Sequence, residues 1–372
     1  MKKVKVLHLI KSLGRGGAEM LLPETLKLHD QNRFEFFYIY FLPWKDQMVK
    51  PIADAGGNIT CFSAKNNLKL LQRASEVTKF CKENDIDIIH AHLPWSGFLA
   101  RLVHKRTKLP LVYTEHNIQE KYHFLTRTLN KHTYNYQTLA LGVSNDVSQS
   151  IQRNIKPHIS VKTLLNGVNT QKFKKNDIKG NEIRKKYGIP LDAVVVGNVA
   201  VFREQKAIPV WLKAFREISE NYPEVYGLLV GAGPKEEEIR QLIREFKLEG
   251  KVKLPGLQVE TLPYFSAMDI FMMSSAFEGL PIALLEAMSC ECAVVSTKAG
   301  GVVEVVREGK DGLLSATGDW KGLVVNVQDL LINNSRMEEF KRSSRIRVEK
   351  KFSLQNMVLE LEEIYPKLIH QF

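Results

Sequence analysis

Two carboxylates lie eight positions apart, at Glu278 and Glu286, in a segment that predicts a strand, a turn and a helix. The apolar run 270–273 favours a buried strand, Gly279 permits a tight turn, and the fixed φ of Pro281 suits the first position of the following helix. We therefore expect Glu278 on a loop at the carboxyl end of a strand and Glu286 more than one turn into the helix. Open α/β sheets bind ligands at this edge, where free N–H groups of the helix start could meet a hydroxyl or an anion. Two solvated glutamates are the alternative interpretation.

Two cations, Arg203 and Lys206, follow the predicted strand 193–199 on a loop that enters a helix. Arginine offers paired donors and lysine a compact charge, so the two side chains can converge on a diphosphate. Such cations would stabilise a departing nucleoside diphosphate as negative charge builds up on it. The alternative is an exposed ion pair with Glu204.

A glycine loop follows the first predicted strand, with Gly16 and Gly17 opening the first helix. Glycines let the backbone approach a phosphate or a sugar closely, beside the positive end of the helix. The pattern is G-x-G-G, and no acidic residue ends a second strand about 20 residues on, so the dinucleotide-binding fingerprint is not met. The loop is therefore either a phosphate or sugar contact or a plain tight turn.

Two histidines, His90 and His92, end the predicted strand region that begins at residue 86. Alternation along a strand sends both side chains to the same side. They could contact a substrate, fill a structural position or bind a metal, but no Asp, Glu or Cys lies near them with ligand spacing. We therefore expect no metal site. His116 closes the next strand in a similar position.

Short apolar runs alternate with helical stretches along the chain, a pattern typical of parallel βαβ units. The expected architecture is α/β, with two Rossmann-like domains facing each other across a cleft. We place the boundary at the Asn166-Gly167 turn, giving domains 1–165 and 166–352, and expect a final helix over about 353–372 that returns to the first domain. The predicted strands are 4–10, 34–42, 86–90, 111–114 and 139–143, followed by 193–199, 226–230, 252–254, 270–273 and 293–296.

The composition is that of a globular protein, with 372 residues of which 44% are hydrophobic and 25% charged. Its net charge of +12 lies almost entirely in the first 166 residues, which hold 24 Lys and Arg against 13 Asp and Glu. A basic half can attract anionic lipid, phosphorylated substrates or nucleic acid, or it can simply be a solvated lysine-rich surface. No nucleic-acid-binding motif is present, so nucleic acid is not an expected partner. No apolar run reaches the roughly 18 residues of a membrane span.

Four cysteines, Cys61, Cys81, Cys290 and Cys292, lack the spacing of zinc ligands. We interpret them as free core thiols in a reducing cytoplasm.

The segment 278–288 resembles the E-x7-E signature of the family 4 retaining glycosyltransferases, which belong to the group 1 glycosyltransferases. E-x7-E alone would be a weak match, but other family motifs occur in the same order, and the resemblance runs from about residue 4 to the final helix. They are the glycine loop 16–19, the histidine His92 in H-A-H, the linker 166–169, the cations Arg203 and Lys206, the turn 231–234, the G-G-x-x-E-V-V segment 300–306 and the segment 311–314.

The resemblance implies a GT-B fold and transfer from a nucleotide-sugar without a metal ion, with the first domain on the acceptor side and the second binding the donor. Glu286 would hold the ribose and Glu278 the donor sugar. The implied catalytic residues are His92, Glu278, Arg203 and Lys206. The implied donor-binding residues are Gly16, Gly17, Arg203, Lys206, Gly256, Gly279, Leu280 and Glu286. Val201 stands where the family often has an arginine, a role we assign to Arg203, and Asn169 replaces the usual aspartate of the linker.

The expected function is transfer of a hexose-type sugar, with a UDP-sugar favoured as donor, to a glycan or lipid-linked acceptor. Such a reaction belongs to bacterial surface polysaccharide or glycolipid synthesis. The expected location is cytoplasmic, with peripheral contact to anionic lipid at the inner face of the cell membrane. The alternatives are a nucleotide-sugar epimerase on the same fold and a non-catalytic nucleotide-sugar-binding subunit.

Overall fold

The computed structural model describes residues 2–371, which divide into two compact units. Gly167–Ser353 form the second unit, and the residues on either side of that segment form the first. Each unit contains one parallel sheet covered by helices.

The sheet of the first unit has seven strands in the order β3-β2-β1-β4-β5-β6-β7, and every pair is parallel. Buried aliphatic and aromatic residues dominate its central strands, as expected when both faces of a parallel sheet are covered. The strands are β1 Val4–Ile10, β2 Phe34–Tyr40, β3 Asn58–Cys61, β4 Ile88–His92, β5 Leu111–Glu115, β6 Leu139–Gly142 and β7 Ser160–Thr163.

The helices of the first unit connect these strands and begin at recognisable sequence signals. Pro94 occupies the start of the helix after β4, where a missing N–H costs nothing. Ser144 caps another helix by accepting a hydrogen bond from the N–H of Val147 at 3.2 Å. The helices are α1 Gly17–Leu26, α2 Val49–Asp54, α3 Asn67–Gln72, α4 Ala74–Glu83, α5 Pro94–Thr107, α6 Phe124–Thr133 and α7 Asn145–Asn154, with a 3₁₀ turn at Gln119–Lys121.

The last helix of the chain, Leu354–Ile369, belongs to the first unit, which confirms the expected return. Its apolar face, including Leu361 and Tyr365, is buried in the core of that unit. The Glu362 carboxylate accepts a hydrogen bond from the backbone N–H of Asp30 at 2.8 Å. The helix is therefore an integral layer of the first unit.

The sheet of the second unit has six parallel strands in the order β10-β9-β8-β11-β12-β13. Trp211 and Phe215 stack 5.0 Å apart in its core. The strands are β8 Val195–Val199, β9 Tyr226–Val230, β10 Val252–Gly256, β11 Ile270–Met273, β12 Ala293–Thr297 and β13 Gly312–Ser315. The helices are α8 Asp177–Lys186, α9 Ile208–Asn221, α10 Glu236–Glu245, α11 Leu262–Ala267, α12 Ile282–Ser289, α13 Val302–Val305, α14 Trp320–Ile332 and α15 Asn334–Lys351, with a 3₁₀ turn at Glu204–Lys206. The helix Leu354–Ile369 described above is α16.

Ten of the strands correspond to predicted ones, and the three that the sequence did not predict, β3, β7 and β13, all lie at sheet edges. Strand β4 ends at His92, two residues later than expected. Within residues 2–371 no helix is both long and apolar enough to cross a membrane. All four cysteines are free thiols, three of them buried.

One of the charges counted in the basic first half, Arg101, is buried and does not contribute to the surface. Its guanidinium donates hydrogen bonds to Gln137 at 2.9 Å and to Asn130 at 3.1 Å. It also lies over the rings of Tyr113 and Tyr134, each 5.0 Å from the ring centroid. Arg101 therefore organises a buried network under β5 instead of presenting charge to a partner.

Candidate functional site

The strand order of the second unit reverses between the adjacent strands β8 and β11. Parallel α/β sheets bind ligands at the carboxyl ends of the strands beside such a switch point. Arg203 and Lys206 follow β8, and Glu278 follows β11. The predicted cations and the predicted carboxylate therefore lie at the same edge of the sheet.

Lys206 and Glu278 form a close ion pair, with Nζ 2.6 Å from Oε1. The side-chain amide of Gln205 donates to the other carboxylate oxygen of Glu278 at 3.3 Å and to the carbonyl of Phe277 at 2.9 Å. Glu278 is buried, with 5% of its surface exposed, whereas Lys206 is half-buried. A carboxylate this deeply placed needs such partners, because an unpaired buried charge is costly. The interpretation as two solvated glutamates is therefore wrong for Glu278.

The backbone around this pair is held by hydrogen bonds that join the two loops. The Ser274 hydroxyl contacts the carbonyls of Lys206 and Ala207, each at 3.0 Å. The N–H of Ala276 donates to the carbonyl of Gln205 at 2.8 Å. Ala207 has φ +46, a left-handed conformation that is strained for a residue with a Cβ. Strain beside Lys206 and cross-loop bonding are features that fix side chains in place at ligand sites.

Arg203 is exposed and lies on a loop whose backbone packs closely against two glycines, Gly231 and Gly233. Gly231 has φ +140, and a Cβ built there would lie 1.8 Å from the carbonyl oxygen of Ala200. A Cβ on Gly233 would lie 2.6 Å from the carbonyl of Phe202, whose N–H donates to Ala232 at 3.0 Å. The G-x-G-P turn therefore serves to let the loop before Arg203 pack backbone against backbone.

The expected alternative for Arg203, an ion pair with Glu204, does not form. Glu204 pairs with Lys235 at 2.7 Å, and Lys235 also contacts Glu238 at 2.8 Å. Arg203 instead lines a shallow depression with Ile208, Pro209, Ile239 and this charged group. Its guanidinium is thereby left at the surface of the unit.

Glu286 lies on the fifth residue of α12, which begins at Ile282, and is buried. Pro281 is the residue before the helix, so its predicted place at the first helical position is wrong by one residue. Its fixed φ still suits the position, because φ is −74 there. The loop that holds Gly279 and Leu280 therefore leads directly into the start of α12.

Two further glycines in the second unit have positive φ near the strand ends, a conformation that glycine adopts without strain. Gly256, with φ +74, ends β10, and its carbonyl accepts a hydrogen bond from the N–H of Gly231 at 3.0 Å. Gly300 has φ +55, and the following N–H, that of Gly301, donates to the carbonyl of Glu278 at 3.4 Å. The glycine pair Gly300-Gly301 thus contacts the Glu278 loop.

In the first unit the glycine loop leads into α1, which starts at Gly17 with Gly16 as its N-cap. No side chain caps this end through a hydrogen bond. A Cβ on Gly16 would lie 2.2 Å from Oε2 of Glu19, so the position is crowded. The first-turn N–H groups carry the partial positive charge of a helix start.

His90 and His92 belong to a buried cluster that includes a histidine the sequence did not single out, His8 on β1. Nδ1 of His8 lies 2.9 Å from Nε2 of His92, and Nδ1 of His92 lies 3.4 Å from Nε2 of His116. His90 instead contacts the hydroxyls of Tyr365 at 2.8 Å and Thr114 at 2.7 Å. His8 lies opposite His90 in the parallel register of β1 and β4. The sequence could have predicted its place in the cluster only if that strand pairing were known.

Burial keeps these histidines neutral. It lowers the pKa of His8 from 6.5 to about 3 and that of His116 to about 4. It also lowers the pKa of His90 and His92 well below 6.5, with neighbouring histidines adding to the effect. One nitrogen of each of His8, His90 and His92 lies within 4.8 Å of the others, so the group has a composition that could bind a metal. One of these contacts, between His8 and His92 at 2.9 Å, already has the length of an ordinary hydrogen bond.

A second group that the sequence did not reveal surrounds Glu115, the last residue of β5. Its carboxylate accepts hydrogen bonds from the Gln119 amide at 2.6 Å and the Tyr113 hydroxyl at 3.2 Å, and from the Tyr122 hydroxyl. Burial raises the pKa of Glu115 from 4.5 to about 7, although these donors oppose the shift. Nothing in the local sequence distinguishes this glutamate from a solvated one.

Two family profiles match the chain in succession. The one described as "Glycosyltransferase Family 4" matches residues 16–172, and the one described as "Glycosyl transferases group 1" matches residues 180–347. Together they span most of the chain and leave outside mainly the first strand and the last helix. This chain is a group 1, family 4 glycosyltransferase. The resemblance inferred from the motifs is thereby confirmed.

The glycosyltransferase is similar over most of its length to bacterial enzymes. It is 25% identical to N-acetyl-alpha-D-glucosaminyl L-malate synthase of Bacillus anthracis, over 79% of this chain and 78% of that protein. It is 24% identical to the capsular polysaccharide biosynthesis glycosyltransferase CapM of Staphylococcus aureus, over 98% and 97%.

Solved structures confirm the GT-B fold of the glycosyltransferase. Anabaena Alr3699/HepE in complex with UDP-glucose superposes with a TM-score of 0.88 at 21% identity, covering 98% of this chain and 99% of that one. The sucrose-phosphate synthase of Thermosynechococcus elongatus gives a TM-score of 0.87 at 16% identity, with both chains covered completely. At these identities the likeness establishes the fold.

Proposed function

We propose that this glycosyltransferase transfers a hexose-type sugar from a UDP-sugar to a glycan or lipid-linked acceptor, with retained anomeric configuration and without a metal ion. The observation that carries the proposal is the pairing of Lys206 with the buried Glu278 beside the β8–β11 switch point. Arg203 on the same loop supplies a second cation. The reaction belongs to bacterial surface polysaccharide or glycolipid synthesis, the field named for relatives such as CapM.

Lys206 and Arg203 stabilise the leaving diphosphate in this proposal. As the bond between the sugar carbon and the diphosphate weakens, negative charge grows on the phosphate oxygens. Cations that are already in position lower that barrier, because they need no reorganisation at the moment of reaction. Ser274 and the Gln205 backbone hold Lys206 in such a position. The arginine that the family often carries at residue 201 is thereby replaced by Arg203.

Glu278 and Glu286 take different roles. Glu286, buried on the second turn of α12, holds the ribose hydroxyls of the nucleotide. Glu278, with the N–H groups of Gly279 and Leu280, holds the donor sugar while it keeps Lys206 oriented. Because Glu278 is already engaged by a lysine and an amide, it is poorly suited to accept a proton as a general base.

The assignments of Gly16, Gly17, Gly256 and His92 stay predictions from the resemblance. His92 has both ring nitrogens within reach of other histidines. For His92 to bind a sugar hydroxyl directly, one of its hydrogen bonds to His8 or His116 would therefore have to open. Otherwise His116 would make the contact in its place.

The experiment that tests the function is a donor screen with the purified full-length protein. UDP-, GDP- and ADP-sugars are each incubated with a bacterial polysaccharide or lipid-linked acceptor, with and without a chelator, and nucleotide release is measured. The proposal expects acceptor-stimulated release of UDP that the chelator does not change. The ¹H–¹H coupling constant at the product anomeric centre reports retention or inversion.

The alternatives give different outcomes in the same screen. An epimerase would convert the donor into its epimer without any acceptor. A non-catalytic subunit would bind the donor, seen as a thermal shift, and release no nucleotide. Strict dependence on a divalent metal, or an inverted product, would overturn the corresponding part of the proposal.

A further inference from the structure

Three imidazoles form a hydrogen-bonded row in the first unit, and the innermost of them has no assigned role. His8 on β1 contacts His92 at the end of β4, with 2.9 Å between Nδ1 and Nε2. His92 in turn contacts His116, just after β5, with 3.4 Å between Nδ1 and Nε2. His8 and His92 are buried, and His116 is the partly exposed member. These contacts follow adjacent strands of the sheet.

The three rings are neutral, which couples their proton positions. Burial lowers the pKa of each, to about 3 for His8, to about 4 for His116 and well below 6.5 for His92. A neutral imidazole has one donor nitrogen and one acceptor nitrogen. Both contacts of the row can be hydrogen bonds only if all three rings carry the proton on the same nitrogen, all on Nδ1 or all on Nε2.

We propose that His8 is a positioning residue that fixes the tautomers of His92 and His116 and thereby decides whether the outer nitrogen of His116 donates or accepts. With the protons on Nδ1, His8 donates to His92, His92 donates to His116, and Nδ1 of His116 is a donor. With the protons on Nε2, the same nitrogen of His116 is an acceptor. The tautomer assignment stands without the proposed function. Only the expected change in kcat rests on it, because that change assumes that this row contacts the donor sugar.

The surroundings of His8 hold its ring in place. The ring stacks on Tyr38, with centroids 5.0 Å apart and planes 10° apart, and lies 5.0 Å from the ring of His90. His90 does not join the row, because its two nitrogens contact the hydroxyls of Tyr365 and Thr114. The row is therefore confined to three members.

A metal ion is the competing use of these histidines. The nitrogens of His8, His90 and His92 lie within 4.8 Å of one another. Bonds of 2.0–2.1 Å in a tetrahedral zinc site would separate ligand nitrogens by roughly 3.3 Å. The 2.9 Å between His8 and His92 suits a hydrogen bond better, and His90 would have to give up a hydroxyl partner. The row therefore favours a proton between the rings over a metal.

The test uses three single variants of the full-length protein with ¹⁵N-labelled histidine. His8→Phe keeps a ring to stack on Tyr38 but removes the hydrogen bond, His8→Asn places an amide near the position of Nδ1, and His158→Phe changes an exposed histidine. Chemical shifts of the ring nitrogens report the tautomer of each histidine. We expect one shared tautomer for the three rings in the parent protein and in His158→Phe. We expect mixed tautomers for His92 and His116 in His8→Phe, and recovery in His8→Asn.

The kinetic arm measures kcat and KM for the donor in the same proteins. We expect kcat to fall about 10–100-fold in His8→Phe with little change in KM, by analogy with the range for groups that orient metal-binding histidines, and to recover in His8→Asn. Unchanged tautomers in His8→Phe would overturn the proposal, as would zinc binding that His8→Phe abolishes. If no donor is turned over, the proposed function fails while the tautomer measurement still decides the role of His8. Should His8→Phe not fold, His8→Leu, which also lacks a hydrogen-bonding group, takes its place: mixed tautomers at His92 and His116 with lowered kcat would support the proposal, and unchanged tautomers would overturn it.

Discussion

The ammonium group of Lys206 lies 2.6 Å from the carboxylate of Glu278, and the two residues come from loops that follow adjacent strands. Glu278 is the more buried partner. The pair therefore does two things at once: it gives a buried carboxylate a counter-charge, and it holds a cation at the ligand-binding edge of the sheet.

Lys206→Met is expected to lower both stability and activity, and only the first loss should be recoverable. Without the lysine, the buried Glu278 carboxylate keeps the Gln205 amide but has no counter-charge, and removing one partner of a buried ion pair costs about 3–5 kcal/mol. The double variant Lys206→Met/Glu278→Gln removes that charge, so its free energy of unfolding should return towards the parent value. Donor turnover should stay about 10²–10³-fold lower in both proteins, because the cation is missing. Chemical unfolding and nucleotide release measure the two effects.

Lys213→Met, at an exposed position on α9, is the control, and full activity of Lys206→Met would contradict the assignment.

Glu286→Gln is expected to weaken nucleotide binding without unfolding the second unit. The amide keeps the shape of the side chain but gives up the charge, and a hydrogen bond to a charged group is worth about 1.5–3 kcal/mol. The UDP dissociation constant measured by calorimetry should rise about 10- to 100-fold. Glu339→Gln, at an exposed position on α15, should bind UDP like the parent. Equal affinity in Glu286→Gln would remove Glu286 from the donor site.

Gly231→Ala is expected to destabilise the second unit and to disturb the loop before Arg203. The new Cβ would lie 1.8 Å from the Ala200 carbonyl, at a φ of +140 that alanine rarely adopts. Strain of this kind costs about 1–3 kcal/mol, which denaturant unfolding can resolve. Gly250→Ala is the matched control, since a Cβ there has nothing within 4 Å. Equal loss in the two variants would show that the close approach at Gly231 is not what matters.

The stability of the first unit should fall as the pH falls from 7 to 5. The folded pKa values of His8 and His116, about 3 and 4, lie below the ordinary 6.5. The unfolded chain therefore binds these protons first, and stability that is present above pH 6.5 is lost on acidification, by up to about 1.4 kcal/mol per pH unit for each histidine. Glu115 acts in the opposite sense: its pKa is raised to about 7, so its neutral form contributes stability below pH 4.5 that is lost as the pH rises through 7.

Unfolding in denaturant at pH 5, 6, 7 and 8 measures this balance, in which several histidines oppose one glutamate. His8→Phe should flatten the dependence between pH 5 and 6.5. Glu115→Gln should steepen it, because the opposing group is gone. A flat profile in the parent protein would show that the histidines are not held neutral.

Binding to anionic vesicles should depend on the lysines of the first unit and weaken with salt. Lys65 and Lys69 are exposed beside Leu68, whose surface is 67% exposed. Each lysine near an anionic surface is worth about 1 kcal/mol, so Lys65→Gln/Lys69→Gln should bind about 30-fold less tightly in a vesicle co-sedimentation assay. Lys213→Gln/Lys321→Gln removes the same charge from the second unit and should bind like the parent. Equal binding of the parent to neutral vesicles would refute the contribution of charge.

The sequence determined the fold class and the central strands, because a strand buried on both faces must be a continuous apolar run. Strands β1, β9 and β11 were predicted with the same bounds that the structure has. The edge strands β3 and β7 were missed because a strand with one neighbour need not be uniformly apolar, and their residues are largely exposed or half-buried. The third missed edge strand, β13, is mostly buried but only four residues long.

The sequence also placed Arg203, Lys206, Glu278 and Glu286 at strand ends, since glycines, prolines and charges interrupt apolar runs there. Only the tertiary structure decided which of them touch. In the folded protein Lys206 forms an ion pair with Glu278 on another loop, and Glu204 forms an ion pair with Lys235. The tertiary structure also brought His8 against His92, although 84 positions separate them. Such contacts depend on strand order and register, which the local pattern of side chains does not encode, because pairing is set by how whole strands and helices pack.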